Sequence, residues 1–328
     1  MKAVPGRKTD VKDAEWIAEL LQHGLLQPSY IPSKDQRELR ELVQYRKSLV
    51  GERTRELNRL QKMLEGANIK LSGTVTNING KSARKILEYI LSGNEIDEKK
   101  YDEMYEEKLI AHNLKASKEQ ILDDLKGFMS PLQRRMLKEL LQHLDELNVH
   151  IENLNDEIDN FMKPEEKQAS QMIQDVTGIG NTSAQAIIAV IGTDMERFPS
   201  DRHISSWAGL CPGDNISAKK RKGGKIRKGN ALLKSTLVLC AHAAVRHKSS
   251  YFHAQFKRIS THRGKKRAYV AVAHSILIAI YHILKDGVKY QDLGAEYYNQ
   301  FNAERKIHAY LKKLKALGWE PPKEAVPA

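Results

Sequence analysis

Apolar residues recur at helical spacing along most of the chain, so the pattern predicts a mainly α protein. A first helix is predicted at about residues 9–23, where Trp16, Ile17, Leu20 and Leu21 share one side. A longer, highly charged helix is predicted at 33–65, with a leucine stripe that Arg46 and Arg53 interrupt. The stretch 69–80, rich in Gly, Ser, Thr and Asn, predicts a loop, and shorter helices are expected at 82–91 and 99–111.

The clearest periodic signal follows Pro131, where apolar residues are separated by alternating steps of three and four. These residues are Leu137, Leu140, Leu144, Leu147, Ile151, Leu154, Ile158 and Phe161. Such a heptad predicts a coiled coil or an antiparallel helical hairpin. Its partner is either the helix at 33–65 or the same helix of a second copy, which would make a homo-oligomer. The sequence does not choose between them.

The composition changes at Pro164, after which the chain is richer in Gly, Ala and Ile and loses the heptads. We therefore predict a helical, coiled-coil region at 31–165 and a separate domain at 166–328. Further helices are expected at 172–191, 201–208, 230–247 and 303–317. The apolar run 268–284 contains His274 and His282, which favours a buried helix over a membrane span.

Two glycines between apolar helical stretches, Gly178 and Gly180, are typical of a helix-hairpin-helix. The glycines allow a tight turn whose backbone N–H groups can face a phosphate at the start of the second helix. The alternative is an ordinary tight connection between helices. The basic segments downstream favour phosphate binding.

Positive charge is concentrated in the segment 217–230. The chain has a net charge of +13, which favours a polyanionic partner such as nucleic acid. Seven of its cations fall in this segment: Lys219, Lys220, Arg221, Lys222, Lys225, Arg227 and Lys228. Gly223 and Gly224 can form a two-residue hairpin turn, which would fold them into a basic ribbon. The alternative is a solvated loop.

Two sets of residues are candidates for chemistry. Ser217, at the start of the ribbon, lies among cations that could stabilise a developing oxyanion, although Ser205, Ser206 and Ser235 are serines of equal standing by composition. Asp10 and Asp13, three residues apart on the first predicted helix, point the same way and could hold Mg²⁺. The alternative is that they cap that helix and favour its dipole.

Cysteine usage bears on the compartment. Cys211 and Cys240 are far apart and form no C-x-x-C motif, which argues against a disulfide framework or a zinc ribbon and fits a reducing cytoplasm. No signal peptide opens the chain, and no membrane association is expected.

Taken in order, these segments resemble the Insertion Sequence 110 family of transposases. The resemblance rests on residues 6–14 (GRKTDVKDA), on 176–180 (VTGIG), on Phe198-Pro199 with 207–212 (WAGLCP), and on Ser217 with its ribbon up to Gly229-Asn230. It extends over nearly the whole chain. Each piece alone is weak, whereas the combination in this order is specific.

The resemblance implies three regions: a RuvC-like nuclease domain, of which residues 1–30 are the C-terminal remnant, a coiled-coil region, and a transposase domain with a nucleophilic serine. Asp10 and Asp13 match the last two of the family's four acidic residues, and Ser217 matches the serine, although Ala218 stands where a glycine often follows. The implied activity is strand exchange through a covalent phosphoserine with Mg²⁺. The implied partners are DNA and a structured guide RNA, in a bacterial cytoplasm.

The family's first two acidic residues lie upstream of this motif, and nothing precedes Met1. We therefore expect a truncated nuclease domain and no recombination by this polypeptide alone. Two alternatives stay open: a non-catalytic protein that binds DNA or RNA through the hairpin and the ribbon, and a purely structural coiled-coil protein.

Overall fold

A computed structural model describes residues 10–26, 31–94, 96–110, 116–213, 216–217, 220–221, 226–300 and 303–319. Its element bounds, in chain order, are α1 (Asp10–Gln22), α2 (Lys34–Gly66), α3 (Leu71–Thr74), α4 (Lys81–Leu91), α5 (Glu98–Glu106), α6 (Lys118–Asp124), α7 (Pro131–Phe161), α8 (Pro164–Gln174), α9 (Asn181–Ile191), α10 (Asp201–Trp207), β1 (Ile216–Ser217), β2 (Lys220–Arg221), α11 (Ala231–Ala244), α12 (Tyr251–Arg263), α13 (Lys265–Asp286), α14 (Gly294–Gln300) and α15 (Ala303–Ala316). The protein is mainly α-helical, as predicted.

The long helices α2 and α7 form an antiparallel pair within one chain. Near one end of the pair, Leu60 of α2 shares a core with Leu137 of α7. Near the other, Leu39 of α2 shares a core with Ile158 of α7. Of the two partners that the heptad allowed, the intramolecular one is therefore present. An oligomer through further faces stays a prediction.

The heptad of α7 differs from the prediction at two positions. Leu141 is buried where Leu140 was expected, and Phe161 is 38% exposed. Leu141 belongs to the core that the small helices α3 to α6 build against α7. Its carbonyl oxygen also accepts a hydrogen bond from Arg84 of α4. Contacts with α3 to α6, as well as with α2, decide which side of α7 is buried. A heptad predicts only the contacts between two helices, so it missed this difference.

The segment between α2 and α7 contains more helix than predicted. The expected loop at 69–80 includes α3, because Leu71 and Thr74 are buried there. The Thr74 hydroxyl donates to Asp124 across 3.2 Å. Helix α6 was missed, although Ser117 and Gln120 form a capping box at its start.

A buried arginine joins α2 to α7 and α9. Arg46 is 3% exposed and donates hydrogen bonds to Asn155 of α7, at 3.0 Å, and to Gln185 of α9, at 2.5 Å. It also donates to the Thr182 carbonyl oxygen at 3.1 Å. Gln185 in turn donates to Asp159. Burial lowers the pKa of Arg46, and the Asp159 carboxylate opposes this shift. The apparent break in the leucine stripe is thus a buried polar junction.

The main core lies in the C-terminal half, where α9, α11 and α13 pack together. Among the described helices, α13 is the one long and apolar enough by composition to cross a membrane. One side of it lies in the main core, where Val272, Ile276 and Ile280 are fully buried. A helix with a buried side at this position agrees with the prediction. Helix α12 packs along α13, and α14 packs on α12; the periodicity indicated neither α12 nor α14.

We expect Arg46→Ala to lower the free energy of unfolding by about 3 kcal/mol, because it leaves the amide of Gln185 and the carboxylate of Asp159 without their buried cation. Urea denaturation followed by circular dichroism measures this loss. Arg53→Ala is the matched control on the same helix: Arg53 is half-exposed and donates to Asn148 at 3.2 Å, so the cost should stay below about 1 kcal/mol. Equal losses for the two variants would contradict the role given to Arg46.

Candidate nucleic-acid interface

A short antiparallel hairpin carries the candidate serine. In β1 and β2, Ile216 pairs with Arg221 and Ser217 pairs with Lys220. The predicted turn pair Gly223-Gly224 lies outside the described residues. Within the described pairing, Ser217 and Lys220 are the partners closest to each other along the chain, so Ser217 is the last described residue of β1.

The chain enters and leaves this hairpin at fixed points. Pro212 and Ile226 form an antiparallel bridge, and the Arg227 N–H donates to the Cys211 carbonyl oxygen at 3.1 Å. Burial raises the pKa of the Cys211 thiol, which Arg227 partly opposes. The base of the segment is thus a short piece of paired backbone.

Two glycines hold that base against the end of α10. Gly209 has φ +72°, and a Cβ there would lie 2.7 Å from the Arg227 carbonyl oxygen. A Cβ on Gly229 would lie 2.4 Å from the Ala208 carbonyl carbon. At both glycines, the backbone of one segment packs directly against the backbone of the other, and a side chain would not fit between them. The glycines of the WAGLCP and KGN motifs therefore position the segment that carries Ser217.

The predicted cations divide into three groups. Arg227 and Lys228 are exposed at the base of the hairpin, where Arg227 also donates to the Ser206 hydroxyl at 3.2 Å. Lys220 and Arg221 form strand β2. Lys219, Lys222 and Lys225 lie outside the described residues. The two described groups follow each other along one short segment.

The other three candidate serines are either buried or hydrogen-bonded within the fold. Ser205 is fully buried, and Ser206 accepts from Arg227. The Ser235 hydroxyl donates to the Ala231 carbonyl oxygen at 2.8 Å and accepts from Lys47 at 2.6 Å. One of these serines is thus buried in the core, and the other two have hydroxyls engaged in hydrogen bonds.

The two glycines in the connection between α8 and α9 have different surroundings. Gly178 has φ +94°, and a Cβ there would lie 2.5 Å from the Cys240 carbonyl oxygen and 2.6 Å from the Ala244 nitrogen. It is therefore packed against α11. Gly180 is exposed at the N-cap of α9 with open space around it. The turn is as tight as predicted, and of the two glycines only Gly180 has room beside it for a ligand.

Asp10 and Asp13 occupy the first turn of α1, a helix without a buried residue. Asp10 is exposed and Asp13 is half-exposed. No group of three or more His, Cys, Asp or Glu side chains that could hold a metal forms among the described residues. Two carboxylates on one exposed helix do not by themselves fit a Mg²⁺ site, since this ion needs a near-octahedral set of oxygens.

A second basic corner lies where α12 ends and α13 begins. Arg263, Lys265, Lys266 and Arg267 are exposed around Gly264. The sequence showed this charge run, but the periodicity did not indicate that a helix boundary at Gly264 would gather it. Lys266 and Arg267 line the same cavity as Pro212 and Ile226 from the hairpin base.

Comparison with known families finds two matched regions. A model described as "Transposase IS116/IS110/IS902 family" matches residues 170–257, which hold the α8–α9 connection, the hairpin and α11. A DEDD transposase model of the IS110 type matches residues 2–69, which include Asp10 and Asp13. Both matched regions are thus similar to transposases of the IS110 type.

Individual relatives agree with this family. The chain is 32% identical over 108 residues to the "Transposase for insertion sequence element IS1111A" of Coxiella burnetii, which is 32% of this chain and 29% of that protein. It is 28% identical over 131 residues to the "Insertion element IS110 uncharacterized 43.6 kDa protein" of Streptomyces coelicolor, which is 39% of this chain and 31% of that protein. The matches thus span about a third of each relative's own length.

We expect Gly178→Ala to lower the free energy of unfolding by about 3 kcal/mol, because the new methyl group meets the backbone of α11 and the left-handed φ disfavours alanine. Thermal and urea unfolding measure this. Gly180→Ala, two residues along in open space, should cost at most about 1 kcal/mol. A Gly178→Ala protein as stable as Gly180→Ala would show that the turn does not press against α11.

Proposed function

We propose that Ser217 of this chain is the nucleophile of a site-specific DNA recombinase, and that complete strand exchange needs more than this polypeptide alone. One observation carries the proposal: Ser217 sits in a two-strand hairpin, paired with Lys220, inside the family-matched region 170–257. A serine on a short hairpin with a fixed base is held at a defined position, and cations next to it in the sequence can stabilise negative charge on a phosphate. The three serines explained by packing or helix hydrogen bonds lack this setting.

The proposed step is a transesterification at a DNA phosphate. The Ser217 oxygen attacks phosphorus and loses its proton, a Ser–O–P bond forms, and one P–O bond to a sugar breaks. The departing sugar oxygen takes up a proton and becomes a hydroxyl. A hydroxyl of another strand then attacks the phosphoserine, restoring the serine and completing strand exchange. The cations neutralise the phosphate as charge builds on its oxygens.

The DEDD match suggests that a divalent metal takes part, and Asp10 and Asp13 are our candidates for two of its ligands. The described carboxylates do not complete such a site, so we route no step through a metal. By the family resemblance, a guide RNA and a second copy of the chain remain proposed partners beside DNA.

The nucleophile can be tested by trapping a covalent adduct. With nicked DNA, which prevents religation, we expect the wild-type protein to form a denaturant-resistant protein–DNA species and Ser217→Ala to form none, because no other hydroxyl takes its place. Mass spectrometry should locate the phosphate on Ser217. Ser235→Ala is the control, since its hydroxyl is occupied by Ala231 and Lys47. An adduct that persists in Ser217→Ala would refute the assignment.

The cationic segment can be tested by the salt dependence of DNA binding. We expect Lys228→Ala to weaken binding similarly for all sequences and to reduce the slope of log K against log[salt] by about 1, because one exposed phosphate contact is lost. Fluorescence anisotropy at several salt concentrations measures the slope. Lys138→Ala removes the same charge from an exposed site on α7 and should leave the slope unchanged. Equal effects of both variants would indicate non-specific attraction.

A second candidate function is nucleic-acid binding without chemistry. The lack of a complete carboxylate cluster among the described residues favours it. It predicts salt-sensitive binding that loss of Ser217 leaves unchanged, with no adduct from the wild-type protein. The trapping experiment therefore separates the two candidates directly.

A further inference from the structure

A cavity of about 540 Å³ lies between the hairpin base and helices α12 and α13. One wall is the bridge pair Pro212 and Ile226, so the cavity adjoins the segment that carries Ser217. Apolar side chains, including Val270, form much of the rest. Its volume is in the range of pockets that bind small ligands.

Within the described part of the chain, one end of the Gln255 side-chain amide has a hydrogen-bond partner and the other does not. Gln255 is 9% exposed and lines the cavity, and its amide nitrogen donates to Ser275 at 2.8 Å. Its amide oxygen is buried and has no hydrogen-bond partner among the described residues. A buried acceptor without a donor is costly, and Gln255 lines the cavity, so a ligand N–H or O–H that reached this oxygen would relieve that cost.

The rim of the cavity carries positive charge, in contrast to its interior. Lys266 and Arg267, exposed in the first turn of α13, line the cavity's edge. Burial lowers the pKa of His274 on the same wall, which favours the uncharged ring, and the Asp201 carboxylate partly opposes this shift. The cavity thus combines an apolar, uncharged interior that contains one unmatched acceptor with an edge that carries two cations.

We propose that this cavity receives an unstacked base of a nucleic-acid strand, with the strand's phosphates on Lys266 and Arg267. A nucleobase has apolar faces and ring or amino N–H donors at its edge, which the Gln255 oxygen can accept. Its phosphates supply the anions that the rim attracts. The inference rests on the proposed function, because it assigns a nucleotide subsite to the same interface.

Three single-residue variants isolate the base from the backbone. Ala271→Phe fills the cavity from α13, and Gln255→Leu removes the unmatched acceptor with little change in volume. Ala279→Phe is the matched control, since Ala279 lies on the same helix but lines a neighbouring cavity with Tyr251 and Tyr290. Circular dichroism and thermal unfolding establish that each variant is folded.

The probes are labelled oligo(dA) strands of about 12 nucleotides and the same strands with central abasic positions, which keep every phosphate. By fluorescence anisotropy, we expect wild-type protein to bind the complete strand at least about fivefold more tightly than the abasic one. Ala271→Phe and Gln255→Leu should reduce this ratio to about one without weakening the abasic strand, whereas Ala279→Phe should keep the wild-type ratio.

Matched oligo(A) RNA strands, complete and abasic, distinguish a DNA base from an RNA base as the occupant, and a base-dependent ratio with either sugar supports the proposal. Equal wild-type affinity for complete and abasic strands of both kinds would overturn the base pocket and leave the proposed recombinase intact. So would a ratio that survives in Ala271→Phe or Gln255→Leu. No binding of any strand would overturn the base pocket as well, and the adduct-trapping experiment alone would then decide the proposed recombinase.

Discussion

The buried guanidinium of Arg46 is the contact on which the arrangement of this molecule depends. It sits where α2, α7 and α9 meet, and its hydrogen bonds reach a side chain or carbonyl on each of the other two helices. A charged group so deeply buried is tolerated only when its donors are matched, which restricts the three helices to one relative placement. Because α9 begins at the Gly180 turn, the junction also fixes where that turn points. The long antiparallel pair is therefore coupled to the domain that carries the hairpin.

Much of the fold was predictable because helical periodicity is a local property. The bounds of α2, α4 and α13 agree with the prediction within a few residues, since each has a continuous apolar face and a clear end. The sequence could not indicate that Leu141 would replace Leu140 in the buried face of α7. That choice is made by helices from another part of the chain. The break that Arg46 makes in the leucine stripe was visible, whereas its partners, more than a hundred residues away, were not.

In the candidate site too, local motifs could be predicted from the sequence, whereas tertiary contacts could not. The motif order pointed to the IS110 family, and the two family models that match the chain agree with that resemblance. The roles of Ser217, Asp10 and Asp13 stay predictions. The turn predicted at the Gly-Gly pair lies outside the described residues, whereas the described pairing joins Ser217 to Lys220, which no pattern in the sequence indicated. The sequence predicted a turn at Gly178, but not the contact of this glycine with α11, which is a tertiary one. Nothing local could have linked Gln255 to Pro212 and Ile226, since only the packing of α12 and α13 brings them to one cavity.

The paired glycines at the base of the hairpin also bear on how substitutions in this segment are interpreted. Because the backbones of Gly209 and Gly229 pack directly against neighbouring backbone, a side chain at either position would displace the paired base at Pro212 and Ile226. The segment that carries Ser217 would then shift although no residue proposed to do chemistry had changed. Loss of activity by a substitution at one of these glycines would therefore report a misplaced serine and not a missing one.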